Sequence, residues 1–259
     1  MLEVFTVTIP ELTADEERKA YIWVPDSFEE DHDQRYPVLY MFDGHNLFSD
    51  EEASYGKSWG LTEFMEEYDV PLIIAGVECN HHPEQSEFGG RLSEYSPFDF
   101  SDPHWGQIKG RGKITMDWFV QEFKPFIDEN YPTLPQRENT FISGSSMGGL
   151  MTLYALMDYN DVFSRGAALS PSLGFSRKEV LKMIENGHIG KNTVLYMDNG
   201  AKEMKKASSK RTYGEVTSEL IQKGVLVTSR VVPGGFHSEA SWEKSIPFFM
   251  EVLLFEGVQ

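Results

Sequence analysis

The chain has one cysteine, Cys79, in 259 residues. An internal disulfide is thereby excluded, and so is a zinc site built on paired cysteines. Positive charge is also scarce: 23 Lys and Arg stand against 41 Asp and Glu, a net charge of −18. A field of that sign repels phosphate backbones and anionic headgroups, which argues against nucleic acid or a membrane surface as partner. No uninterrupted apolar run approaches the roughly 18 residues needed to cross a bilayer. The first residues lack the basic start and apolar core of a signal peptide and carry Glu11, Asp15, Glu16 and Glu17 instead. The expected location is therefore cytoplasmic, although a secreted form with its leader trimmed off would read the same. Internal repeats and Pro/Gly/Ser linkers are missing too, which favours one domain over residues 1–259. Nothing in the sequence decides for or against self-association.

What is present is an alternation of two patterns. Residues 4–9 and 19–24 alternate apolar and polar side chains and end at Pro10 and Pro25, the signature of an antiparallel pair at a sheet edge. The acidic stretch Glu29-Glu30-Asp31-His32-Asp33 reads as a solvated turn. Beyond it, residues 38–42, 72–77, 140–143, 166–169 and 193–197 are short continuous apolar runs, as expected of strands buried on both faces. Helix-period segments separate or follow them at 61–68, 118–130, 147–159, 178–186, 213–223 and 240–255. The expected architecture is α/β: a mainly parallel sheet of about eight strands, helices on both faces, an antiparallel N-terminal edge and no separate lid domain. Residues 79–113 are the exception, a long segment of little periodicity with Phe88, Tyr95, Phe98, Phe100 and Trp105. It leaves the carboxyl edge of the 72–77 strand, where ligands bind in such sheets, and Trp105 is a candidate substrate contact.

The strand at 140–143 runs into Gly144-Ser145-Ser146-Met147-Gly148-Gly149 and then into a helix. The bare G-x-S-x-G pattern is common by chance, but in this context it is a nucleophile elbow. Ser146 is the expected nucleophile, with the Met147 N–H at the helix N-terminus facing a developing oxyanion. A serine needs a base, and His237, after Gly234-Gly235-Phe236, is the one histidine that follows the last apolar run, 225–232. An orienting acid is expected after the 193–197 strand, where the α/β-hydrolase order places it. Glu203, three residues beyond Gly200, is favoured there, with Asp198, Glu239 or a serine–histidine dyad as alternatives. Lys205, Lys206, Lys210 and Arg211 read as a solvated helix face. The loop Asp43-Gly44-His45-Asn46 should supply the second oxyanion donor, the His45 N–H, with Gly44 letting the backbone approach the substrate. No metal is expected, because the adjacent His81 and His82 cannot easily face one ion with Cys79.

With these residues in place, the chain resembles the putative esterase family of α/β-hydrolases, which includes esterase D, feruloyl and acetyl-xylan esterases, and enterochelin (trilactone siderophore) esterases. The resemblance runs from Tyr36-Pro37-Val38-Leu39-Tyr40-Met41-Phe42-Asp43-Gly44 through Arg91-Leu92-Ser93-Glu94-Tyr95-Ser96-Pro97 and the elbow to Gly235-Phe236-His237 and Trp242. The R-x-x-E-Y-[ST]-P stretch is its most specific marker. The resemblance implies a serine esterase that works through an acyl-enzyme on a small-molecule ester, with Ser146, His237 and Glu203 catalytic and no cofactor. Arg91 and Glu94 would contact substrate. Acetyl, feruloyl or similar esters of carbohydrates are the expected substrates, and a trilactone siderophore is the alternative. An acyltransferase or a non-catalytic binding protein on the same scaffold are the readings from other classes.

Overall fold

A computed structural model describes residues 1–27 and 33–255. The acidic stretch at 29–33 therefore lies outside the described residues except for Asp33. Eight strands form one sheet: β1 (Leu2–Thr8), β2 (Glu17–Trp23), β3 (Val38–Phe42), β4 (Ile73–Val77), β7 (Thr140–Ser145), β8 (Arg165–Leu169), β9 (Val194–Gly200) and β10 (Leu226–Val232). Their spatial order is β1-β2-β4-β3-β7-β8-β9-β10. β1 and β2 pair antiparallel from Leu2↔Trp23 to Thr8↔Glu17, and β2 is also antiparallel to β4. From β4 onward every pairing is parallel. The side chains of β3 and β4 are buried on both faces, which is what their unbroken apolar runs require.

One face of the sheet packs against helices that include Met147–Asp158 and Ala207–Lys223, and the other against Leu61–Tyr68 and Ile246–Leu254. Met147–Asp158 is buried through Met157, so it needs no amphipathic pattern. Two elements depart from their sequence pattern. The helix expected at 118–130 begins at Gly112 and contains a wide turn over Phe119–Phe123, in which the Lys124 N–H reaches the Phe119 carbonyl. Pro125 follows, and the wider turn relieves the clash its ring would make with the preceding turn of a regular helix. The 79–113 segment is more ordered than its sequence suggests: it holds a helical turn, Arg91–Glu94, and an antiparallel hairpin of β5 (Phe100–Asp102) and β6 (Gly106–Ile108).

Parallel strands bring their carboxyl ends to one edge. Asp43 follows β3, Ser146 follows β7 and Ser170 follows β8, and each has a positive φ, of 59°, 58° and 45°. Non-glycine residues rarely occupy this region unless their surroundings hold them there. No helix among the described residues is long and apolar enough to cross a membrane.

Candidate active site

Ser146 stands between β7 and the helix Met147–Asp158 with φ 58° and ψ −117°. A side chain at Gly144 would press within 2.9 Å of the Gly148 backbone, so the tight strand-to-helix turn depends on that glycine. His237 lies beyond β10, and its Nδ1 is 2.6 Å from Glu203 Oε2. The other carboxylate oxygen, Glu203 Oε1, accepts from the Ser170 hydroxyl at 2.7 Å and the Gly200 N–H at 2.9 Å. The Trp242 indole N–H donates to Ser170 Oγ at 3.0 Å, and its ring stands edge-on to His237 at 5.2 Å. The two loops meet because Gly200 and Gly235 pack backbone to backbone. A Cβ on Gly200 would lie 2.4 Å from the Gly235 carbonyl oxygen, to which Lys202 N–H donates.

Ser146 and His237 line one cleft of about 570 Å³, and a second cavity of about 620 Å³ opens on the other side of His237, against Ser172, Phe175 and Glu203. A larger cavity, about 860 Å³, shares no lining residue with either. Ser146 Oγ shares a 3.2 Å hydrogen bond with Ser172 Oγ, and among the described residues none joins it to His237. Such contacts are often open in the absence of substrate.

The profile of the family described as Putative esterase matches residues 12–250. The chain belongs to the putative esterase family. A Bacillus subtilis (strain 168) protein, YbbA, is 25% identical over 158 residues, 60% of this chain and 57% of that protein, so the chain spans little more than half of this relative's length. A ferulic acid esterase superposes with a TM-score of 0.68 at 19% identity, covering 97% of this chain and 98% of that one. The enterobactin and salmochelin hydrolase IroE superposes with 0.66 at 17% identity, covering 98% and 95%. These likenesses establish the α/β-hydrolase fold.

Within this esterase-family fold, the three candidate acids differ in their surroundings. Asp198 is 1% exposed inside β9, where its Oδ2 accepts from the Tyr196 hydroxyl at 2.9 Å and the Ser245 hydroxyl at 2.6 Å. It ties β9 to the start of the C-terminal helix, and burial raises its carboxyl. Glu239 is buried beside the cleft, is also raised by burial, and makes no hydrogen bond to His237. Burial alone would raise Glu203 as well, but hydrogen bonds from His237 and Ser170, the His237 charge and the Gly200 N–H together hold its carboxyl below the usual range. A carboxyl that titrates lower when folded stabilises the fold while ionised, and that contribution is lost as pH falls through the folded value. Glu203→Gln has no such proton to gain. The stability difference between wild type and Glu203→Gln, measured by urea unfolding, should therefore shrink between about pH 6 and pH 3; a constant difference would contradict the lowered value.

The two motif residues expected at the substrate are braces. Glu94 is 2% exposed and both its oxygens accept from Arg18 Nη1 at 2.8 Å; burial pushes its carboxyl up to about 7. It does not line the cleft, which corrects the expectation of a substrate contact. Arg91 does line the cleft, but its Nε and Nη2 donate to the two oxygens of Asp43 at 2.6 Å each. The Tyr95 hydroxyl accepts from the Asp43 N–H at 3.2 Å. The R-x-x-E-Y stretch thus clamps the strained Asp43 from two sides and fixes the turn carrying His45. Arg91→Ala leaves Asp43 as a buried carboxylate without its cation, and is expected to cost about 3 kcal/mol or more in chemical denaturation. A loss below about 0.5 kcal/mol would show that the pair is not a brace.

Gly44 has a packing reason besides the expected one. A Cβ there would meet Tyr21 and the Val77 N at 2.8 Å, so the glycine lets the turn pack against β2 and β4. The His45 N–H makes no hydrogen bond among the described residues, as an oxyanion donor requires. Its ring is buried, and burial lowers its pKa. Trp105, 36% exposed, lies near the turn of the β5–β6 hairpin, its ring 6.4 Å from Phe175 and outside the lining of both cavities. The basic residues Lys205, Lys206, Lys210 and Arg211 are exposed. Ser170 and Ser172 have no functional signal in the sequence: the Ser-Pro-Ser after β8 looks like an ordinary turn, and only the fold brings it beneath Glu203.

Proposed function

We propose that the protein hydrolyses small-molecule carboxylic esters through an acyl-enzyme on Ser146. The observation that carries this reading is Ser146 on a strained elbow in the same cleft as His237, whose Nδ1 is held by Glu203 at 2.6 Å. His237 Nε2 removes the serine proton as Oγ attacks the carbonyl carbon, while Glu203 orients the ring and stabilises the imidazolium. The N–H groups of Met147 and His45 receive the oxyanion. Collapse expels the alcohol, protonated by His237, and water then repeats the sequence to free the acid. The whole chain acts as one unit, since the sheet draws strands from Leu2 to Val232. A cytoplasmic site of action belongs to this reading, supported by a single cysteine and hence no internal disulfide.

The substrate we favour is an acetyl, feruloyl or similar ester of a carbohydrate. Support comes from the 620 Å³ cavity, where Phe175, Leu173 and Met204 offer apolar contact and Ser172, Asn199, Ser208 and Thr212 offer hydrogen bonds. An oxygenated aryl group meets both, so the same feature supports a trilactone siderophore as the second reading. A panel of acetyl, feruloyl and trilactone esters tests it, with Ser146 labelling by diisopropyl fluorophosphate: turnover of none, or label on another residue, rejects the reading. Faster acyl transfer to added sugar than to water would favour an acyltransferase. Trp105 reaches this cavity through Phe175, and Trp105→Ala should raise KM for feruloyl esters severalfold while moving Tm little. Unchanged kinetics with a large drop in Tm would mean that Trp105 only packs the hairpin.

A further inference from the structure

β3 and β4 stay paired up to Phe42↔Val77, so the turns that follow them leave the sheet side by side. That brings His45 from one turn against Cys79 and His81 from the other, with one ligand atom of each within 4.8 Å of the others. His45 is 5% exposed; its Nε2 lies 2.9 Å from Ser54 Oγ, and its Nδ1 is buried with no hydrogen-bond partner. A buried polar nitrogen left without a partner calls for an explanation, and a cation-binding role supplies one. His81 is exposed, its ring 5.0 Å from that of His45, whereas His82 turns away to Glu16. The adjacent histidines diverge, which removes the objection to an ion at Cys79.

We propose that His45, Cys79 and His81 bind a zinc-class cation in the wall of the cleft that holds Ser146 and His237, and that the bound ion inhibits the enzyme. The inhibition rests on the esterase reading; the binding does not. Two imidazoles and a thiolate form a donor set suited to Zn²⁺ or Cu⁺, and the cavity leaves a further position for water. An ion equidistant from three atoms 4.8 Å apart sits about 2.8 Å from each, against about 2.0–2.3 Å in zinc sites. Each donor therefore has to close in by less than about 1 Å, and the exposed His81 is free to swing. With Ser54 accepting from Nε2–H, His45 Nδ1 keeps its lone pair for the ion. The Zn–S bond forms as the Cys79 thiol proton passes to solvent, with nothing oxidised or reduced. Drawing the His45 ring toward the ion shifts the peptide whose N–H is the proposed oxyanion donor.

Titration of the full chain with ZnCl₂ in a calorimeter should reveal one site, weakened at least tenfold in Cys79→Ser and in His81→Ala. The Co²⁺-loaded protein should show a thiolate charge-transfer band that Cys79→Ser abolishes. His237→Gln should bind zinc like wild type, and zinc should slow hydrolysis of an aryl acetate by wild type but not by Cys79→Ser. No uptake, uptake indifferent to both ligand variants, or uptake lost in His237→Gln overturns the site. Uptake at the site with an unchanged hydrolysis rate overturns the inhibition. If no ester is turned over, the calorimetry and the Co²⁺ spectrum still decide the site.

Discussion

Ser146→Ala should lower kcat/KM for ester hydrolysis by roughly 10⁴-fold or more, with little change in the circular dichroism spectrum or Tm. The substitution removes the attacking oxygen and one 3.2 Å hydrogen bond to Ser172, which leaves the Ser172 backbone N–H still bonded to the residue 146 carbonyl. Alanine at φ 58° is strained, as serine already is there. The effect on stability is therefore small beside the effect on rate. Triad members act as a unit, so losing the nucleophile forfeits nearly the whole covalent route and leaves only what binding and the oxyanion donors contribute. Residual turnover above about a tenth of wild type would place the chemistry elsewhere.

Glu203→Gln comes next in expected size, a fall in kcat of roughly 10³–10⁴ with the fold retained. The Gln carbonyl can accept from Ser170 and Gly200 as Oε1 does now, which turns its NH₂ toward His237 Nδ1. An NH₂ facing Nδ1 selects the ring tautomer with the proton on Nε2, and that nitrogen can no longer take the proton of Ser146. Asp198→Asn is the matched control. Its carboxyl serves Tyr196 and Ser245 inside β9, so its effect should appear in Tm and leave kcat within a few-fold. The reverse pattern moves the acid to Asp198, and near-normal rates in both variants support a dyad of Ser146 and His237.

Local grammar was legible without coordinates. The elbow at 140–149 could be read because strand, turn and helix are contiguous, and the sterics that demand Gly144 act over four residues. The parallel sheet was legible because strands buried on both faces leave unbroken apolar runs. Glu203 was reached by counting three residues past Gly200, as the α/β-hydrolase order suggests; that Gly200 packs against Gly235, and so brings Glu203 to His237, only the fold shows. Counting could not reject Asp198, five residues earlier and of the same chemistry. What separates them is direction: the pleat turns Asp198 into the layer beneath the C-terminal helix, while the loop beyond β9 turns Glu203 toward His237.

The motif Arg91-Leu92-Ser93-Glu94-Tyr95 marks the limit. In sequence it looks like charge offered to a ligand; in the fold its charges are spent on Asp43 and Arg18, 48 and 76 positions away. Likewise, adjacency in sequence argued against an ion shared by Cys79 and the neighbouring histidines, yet the parallel register of β3 and β4 brings His45 within 4.8 Å of Cys79 and His81. By itself, then, the sequence determined what depends on neighbours along the chain: strand and helix periods, the elbow and the chain order of the proposed nucleophile, acid and base. The tertiary structure decided which charged side chains face the cleft and which face one another, because burying a charge is tolerated only where a partner meets it, and those partners come from distant strands.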